Sequence, residues 1–140
     1  MKKFQFSLET VLGLKEFREE ECRIALGQAV SALNRIENEI KENALKQVQA
    51  SAQRFTDPER IFSWDMYKNR LEQEAQKLME QAARAEMEVE EKRAQYLEAL
   101  NELKTLEKLK EKQRKEYRKK MLNSQMNEVD DLTSSRHGIR

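Results

Sequence analysis

The feature that most limits how this chain can fold is its shortage of turn-forming residues. Its 140 residues include only three Gly and one Pro, whereas a compact domain of strands and short helices needs such residues wherever the chain reverses. The remaining sequence is rich in the Glu, Lys, Arg, Ala, Leu and Gln that long exposed helices use. We therefore predict an all-α chain that forms one domain over residues 1–140.

The only proline, Pro58, marks the one clear break in this helical sequence. A proline clashes with the preceding turn of a continuing helix, so two helices are expected. Asp57 followed by Pro58 is expected to cap a short helical turn, and Ser63 to be the N-cap of the second helix. The expected elements are a helix over about residues 8–53, a turn over about 54–62, a helix over about 63–132 and a disordered tail over about 133–140.

Apolar residues in both helices recur at alternating spacings of four and three, which is the pattern of a coiled-coil seam. In the first helix the row passes through Cys22, Leu26, Ala29, Leu33, Ile36 and Ile40. Beyond this row the strict heptad requires the polar Asn43 and Gln47, whereas the apolar Ala44 and Val48 lie one residue later. We therefore predict a stutter at this point.

The second helix carries its own apolar row, from Leu71 to Leu106. The register then requires Lys110 and Gln113, so we expect the seam to end near Leu106. If the helices fold back about Pro58, residues that face each other should have numbers that add up to roughly 117.

Leu8 should then face Leu109, so the second seam ends about where the first helix begins. This coincidence favours an antiparallel coiled-coil hairpin within one chain, monomeric in isolation, with a longer, overhanging second helix. A homodimeric structural scaffold is the alternative.

The sequence contains no residue set typical of an enzyme. It has no glycine-rich phosphate loop and no nucleophile paired with a base, and its single Cys and single His exclude a Cys/His metal cluster. We predict a protein with no catalytic site, no cofactor and no metal. The longest apolar run has three residues, starting at Ile24. It is far too short to span a membrane, so we expect a cytoplasmic protein without direct membrane insertion.

Charge is distributed unevenly along the second helix. Residues 72–91 contain seven acidic and two basic residues, whereas residues 104–120 contain nine basic and three acidic residues. The basic segment favours either a solvated helix face or docking to an acidic protein surface. Nucleic acid is disfavoured because Glu residues alternate with the basic ones. The docking candidates are Lys110, Lys112, Arg114, Lys115, Tyr117, Arg118, Lys119 and Met121.

Large apolar side chains cluster around the expected turn, and exposed aromatic patches often mark partner sites. They are Phe55, Ile61, Phe62, Trp64, Met66 and Tyr67. We expect Ile61 and Phe62 to form a local core that closes the bend. Trp64 and Tyr67 should remain available to a partner.

The N-terminal pattern Phe-x-Leu-Glu-x-Val-Leu, which begins at Phe6, resembles the start of the flagellar FliJ family of type III export proteins. Residues 64–71 and the lysine-rich run that ends near Met121 are also similar to that family, and the resemblance extends to about Leu132. It implies a small component of the flagellar export apparatus at the cytoplasmic side of the membrane. The implied fold is a two-helix coiled coil similar to the stalk γ subunit of rotary ATPases.

The resemblance also implies partners, namely the hexameric flagellar export ATPase, the transmembrane export gate protein and empty export chaperones. The basic candidates above fit a ring lined with acidic residues, and the implied gate-binding surface lies on the second helix, close to the hairpin. The gate-binding candidates are Trp64, Tyr67, Leu71, Glu74 and Leu78. Tyr67 and Leu71 match the family's aromatic and leucine positions, whereas Glu74 departs from a small apolar position.

Overall fold

The structure of the chain, a computed structural model, describes residues 3–138 and the side chains of residues 3–136. Helix α1 spans Glu9–Ala52 and helix α2 spans Pro58–Gly138, and no strand occurs between residues 3 and 138. The two helices form an all-α antiparallel hairpin, which confirms the predicted fold class. Contacts divide the chain into a terminal unit (residues 1–19 with 98–140) and a hairpin unit (residues 20–97).

Helix α2 begins five residues before the expected start at Ser63. A carboxylate oxygen of Asp57 accepts a hydrogen bond from the Glu59 N–H at 3.2 Å, and the Asp57 carbonyl accepts one from the Ile61 N–H at 3.0 Å. Asp57 is therefore the N-cap, and Pro58 occupies the first helical position, where its missing N–H costs nothing. The predicted boundary near residue 63 was wrong for this reason.

Helix α2 also continues beyond its expected end. Residues 133–138 are helical rather than a disordered tail, and the Thr133 hydroxyl donates a hydrogen bond to the carbonyl of Val129 at 2.9 Å within the helix. No Pro lies in this stretch to stop the helix. Residues 139 and 140 of the expected tail lie outside the described residues.

Side chains from beyond α1 satisfy the carbonyl groups at its C-terminal end. A guanidinium nitrogen of Arg54 donates to the carbonyls of Ser51 at 2.9 Å and Gln53 at 3.0 Å. The indole N–H of Trp64 donates to the Ala50 carbonyl at 2.7 Å. These donors replace partners that the last turn of a helix lacks, and they complement its negative end. Trp64 therefore fastens the start of α2 to the end of α1.

The seam of the hairpin unit follows the heptad without interruption. The α1 positions expected from residue 22 to residue 40 are all buried or half-buried. The row then continues through Asn43, Gln47 and Ala50, whereas Ala44 is exposed and Val48 is 67% exposed. The predicted stutter was therefore wrong.

Asn43 stays in the seam because its polar atoms have partners. Its side-chain amide donates to the backbone carbonyl of Leu71 at 3.0 Å, and its oxygen accepts a hydrogen bond from the Gln47 amide at 2.6 Å. Only 5% of Asn43 is exposed. A buried polar group is tolerated where its hydrogen bonds are made, so the heptad needs no shift to an apolar neighbour.

The facing row of α2 keeps the same periodicity within the hairpin unit, and all its members are buried or half-buried. They are Trp64, Lys68, Leu71, Ala75, Leu78, Ala82, Ala85, Val89, Lys92 and Tyr96. The ammonium group of Lys92 lies 3.7 Å from a carboxylate oxygen of Glu88. Its aliphatic stem can therefore cover the seam while its charge stays paired at the edge.

The terminal unit has a small apolar core. Phe6, Leu12 and Leu103 are buried in it, and Leu8 and Leu109, which the predicted register pairs, both pack against it. The Lys15 ammonium group lies 2.8 Å from a carboxylate oxygen of Glu102, a pair that falls on the same register. This hydrogen bond and the positive charge of Lys15 lower the pKa of Glu102 from its ordinary value.

Candidate functional site

The basic segment of α2, residues 104–120, carries a row of exposed lysines on one face. Their spacings of four, four, three and four residues align them along the helix. This lysine row consists of Lys104, Lys108, Lys112, Lys115 and Lys119. It lies opposite the half-buried positions Lys110, Gln113 and Tyr117, so it points away from the N-terminal residues that pack there. Lys104 and Lys108 were not among the candidates from sequence, although the spacing could have revealed them.

The eight basic-segment candidates divide into three groups. Lys112, Lys115, Arg118 and Lys119 are exposed. Three others contact residues near the chain's own N-terminus, although one of them, Arg114, is also exposed, and Met121 is half-buried. In those contacts, Lys110 lies 2.9 Å from a Glu9 carboxylate oxygen, Arg114 lies 5.8 Å from the centre of the Phe4 ring, and Tyr117 lies 5.7 Å from it.

The half-buried row continues past Leu106, where the seam was expected to end. The residues before α1 pack against this part of α2, because the ring centre of Phe4 lies 5.7 Å from that of Tyr117. The expectation was wrong because it rested on the polar character of Lys110 and Gln113, which are nevertheless half-buried.

Open grooves flank Phe4 on both sides. One is lined by Lys3, Phe4, Gln113, Tyr117 and Lys120. The other runs between Phe4, Phe6, Glu9, Lys110 and Arg114. Both grooves are lined by two aromatic rings, two basic side chains and one glutamate, so they suit a side chain that is partly apolar and lies beside negative charge.

Only two of the five candidates at the hairpin end present an exposed surface. Leu71 is 2% exposed and Leu78 is half-buried, so both belong to the seam. Trp64 is half-buried, and its indole N–H donates a hydrogen bond to the Ala50 carbonyl. The Lys68 ammonium group lies 4.0 Å from the centre of its ring. Tyr67 and Glu74 are exposed. A partner can therefore contact Tyr67 and Glu74 without opening the hairpin, but not Leu71.

The aromatic residues at the bend are arranged differently from the prediction. Phe62 is 66% exposed, and Ile61 and Met66 are exposed as well, so Ile61 and Phe62 do not close the bend. Trp64 does so instead. The heptad could have indicated this, because counting back from Leu71 by three and then four reaches Trp64, whereas Phe62 and Met66 lie off the row.

Further features of the described residues bear on chemistry and location. Within the described part of the chain, no three His, Cys, Asp or Glu side chains come together as metal ligands. Neither helix, as far as it is described, contains a stretch that is long and apolar enough to cross a membrane.

Comparison with known proteins gives one match that covers nearly the whole chain. The family model described as "Flagellar FliJ protein" matches residues 4–140. No curated protein and no solved structure matches the sequence.

Proposed function

Because the chain belongs to the flagellar FliJ family, we propose that it links the hexameric flagellar export ATPase to the transmembrane export gate. Family membership itself makes the chain a component of the flagellar export apparatus. We further propose that it has no catalytic activity, acts at the cytoplasmic side of the membrane and handles empty export chaperones. Membership of the family supports the chaperone role. We assign no surface of the described residues to it.

The observation that carries the proposed ATPase contact is the exposed lysine row of α2. Glu107, Glu111 and Glu116 lie beside this row, but the nine basic residues of the segment outnumber these three carboxylates. The segment therefore keeps a net positive charge that favours a partner that supplies carboxylates. Complementary charges speed association and select the partner, and their effect falls with ionic strength. We therefore assign the lysine row to an acidic surface of the ATPase ring.

Charge reversal on this row tests the assignment. The triple variant Lys112→Glu, Lys115→Glu, Lys119→Glu should lower the affinity for the isolated ATPase ring by about tenfold or more at low salt, and by less at high salt. The matched control Arg35→Glu, Lys41→Glu, Lys46→Glu reverses three exposed charges on α1. Equal losses in the two triple variants would remove the lysine row from the proposal.

The exposed residues near the hairpin end support the proposed gate contact. Tyr67 is 40% exposed, and Phe62 and Met66 project from the same two turns of α2. The double variant Phe62→Ala, Tyr67→Ala should weaken binding to the cytoplasmic part of the gate protein while the helical content stays unchanged. Met79→Ala, which removes another exposed apolar side chain of α2, should bind like the wild type. Unchanged binding of the double variant would exclude this face.

The hairpin supports a monomer in isolation, because each helix already buries its seam within the same chain. Sedimentation equilibrium at micromolar concentration should give a mass near 16.7 kDa. A stable dimer would favour the alternative, a homodimeric scaffold.

A further inference from the structure

Residues 3–7, here called the N-terminal strap, cover the face of α2 that carries Tyr117. We propose that the strap is a releasable competitor of the ATPase ring for this face, so that α2 offers its full docking surface only when the strap lifts. The inference rests on the proposed function, because it concerns regulation of the same basic segment. In this arrangement Lys110, Arg114 and Tyr117 contact residues near the N-terminus, whereas the lysine row is exposed to a partner.

The strap is anchored unequally at its two aromatic residues. Phe6 is 6% exposed and packs in the core with Leu12 and Leu103. Phe4, two residues further out, is only half-buried and packs against the edge of that core. Removing Phe6 from the core would expose a large apolar side chain, which is costly. The part that can lift is therefore the outer part around Phe4, with Phe6 as its fixed end.

The outer part of the strap is held by aromatic and cation–π contacts, which a partner can replace. The Phe4 and Tyr117 rings are tilted at 47° with their centres 5.7 Å apart, and the Arg114 guanidinium lies 5.8 Å from the Phe4 ring. The neighbouring Lys110–Glu9 ion pair includes a Glu9 side chain that is 60% exposed. Exposed cation–π contacts and ion pairs are individually weak. An incoming aromatic side chain beside a carboxylate would supply the same interactions.

The surroundings of Tyr117 define the chemistry of that partner. Lys3, Lys110, Arg114 and Lys120 line the two grooves beside Phe4, and Glu9 and Glu116 are the acidic residues that line them. The net charge of the lining is positive, and Phe4, Phe6 and Tyr117 add aromatic rings to it. We therefore assign the surface under the strap to a segment of the ring that bears an aromatic or large aliphatic side chain flanked by carboxylates.

Weakening the strap tests the competition directly. Phe4→Ala should tighten binding to the isolated ATPase ring by about threefold to tenfold, because removing a competing aromatic pair raises the fraction of open molecules by that order. Phe17→Ala removes a 60% exposed ring from α1 and should leave the affinity unchanged. Unchanged or weaker binding by Phe4→Ala would overturn the proposal, and weaker binding would make the strap part of the docking surface.

Locking the strap gives the opposite test and leaves Phe4 and Tyr117 in place. Gln5 and Gln113 line the same groove, so Gln5→Cys and Gln113→Cys can be joined by a reducible bismaleimide in a Cys22→Ala background. The joined protein should bind the ring at least tenfold more weakly, and reduction should restore its affinity. Equal affinity before and after reduction would contradict competition.

The lysine-row variants separate this inference from the function on which it rests. If the triple lysine variant loses binding while Phe4→Ala and the cross-link have no effect, the docking site stands and the strap proposal is wrong. If the triple lysine variant binds normally, the assignment of the basic segment fails, and the strap proposal fails with it. Hydrogen exchange over residues 110–120 without the ring, faster in Phe4→Ala than in the wild type, should report strap release independently. Identical exchange in the two proteins would contradict release.

Discussion

The side-chain amide of Asn43 donates a hydrogen bond to the backbone carbonyl of Leu71 at 3.0 Å, inside the seam of the hairpin unit. An apolar side chain at this position could pack in several alignments, whereas an amide is satisfied only where a carbonyl meets it. A single buried polar residue fixes the register of a coiled coil in this way, at some cost in stability. We infer that Asn43 aligns α1 with α2 around Leu71.

Asn43→Leu should therefore make the hairpin more stable but less uniquely paired. We expect the free energy of unfolding in urea to rise by about 1–2 kcal/mol, while sedimentation velocity detects dimers or a second compact species. Asn38→Leu, a change at an exposed position of the same helix, is the matched control and should change neither. A variant that is more stable and still a single species would contradict the register role.

Leu71→Ala should destabilise the hairpin strongly. Leu71 is 2% exposed, and truncating a buried leucine costs about 2–5 kcal/mol because it leaves a cavity. Met66→Ala, at a position that is 53% exposed, should stay within about 0.5 kcal/mol of the wild type. Urea unfolding followed by circular dichroism measures both changes. A small loss for Leu71→Ala would mean that the site collapses around the missing side chain.

The Lys15–Glu102 pair should make stability depend on pH in acid. Lys15 lowers the pKa of Glu102 below its ordinary value of 4.5, so the ionised carboxylate stabilises the folded state above that pH. The contribution is lost as the pH falls through the lowered pKa of the folded state. The difference in free energy of unfolding between the wild type and Glu102→Gln should be constant near neutral pH and shrink as the pH falls below the ordinary pKa of 4.5.

Glu98→Gln, which removes an exposed carboxylate one turn earlier in α2, provides the comparison. The difference in free energy of unfolding between the wild type and Glu98→Gln should change less over the same acid range. A Glu102→Gln difference that persists undiminished at pH 2 would show that the pair acts through packing rather than charge.

Two glycines within α1 should be replaceable by alanine with a gain in stability. A Cβ atom added at Gly13 or at Gly27 would meet no atom within 4 Å apart from its chain neighbours and the nearby backbone of its own helix. Alanine is favoured over glycine in a helix interior by about 0.5–1 kcal/mol. Each variant should gain about this amount in urea unfolding, and Ala44→Gly, at an exposed position of α1, should lose a similar amount. A loss at either glycine would reveal a close neighbour there.

The architecture could be predicted from the sequence because few residues decide it. Pro58 locates the bend, and the alternating spacings of four and three locate the seam. The bend alone then sets the register, which the Lys15–Glu102 pair obeys. A long heptad pattern and a single helix breaker leave little freedom to the chain.

The wrong predictions concern residues whose polarity alone does not determine whether they are buried. The hydrogen bonds of Asn43 depend on where the Leu71 carbonyl lies in space, so counting apolar residues predicted a stutter that does not exist. The bond between Trp64 and Ala50 likewise depends on the geometry of the bend. For the candidate site, the positive charge of the basic segment could be counted in the sequence. The sequence did not show that Phe4 contacts Arg114 and Tyr117 and leaves the lysine row exposed.

The non-helical lead before α1 has a consequence for insertions and deletions. Gln5 alone separates the anchored Phe6 from Phe4, whose ring contacts Tyr117. Deleting Gln5 would shorten this span by one residue, or up to about 3.3 Å, and draw Phe4 away from Tyr117, whereas replacing Gln5 would not. The distance between Phe4 and Phe6 along the chain is therefore constrained more tightly than the identity of the residue between them.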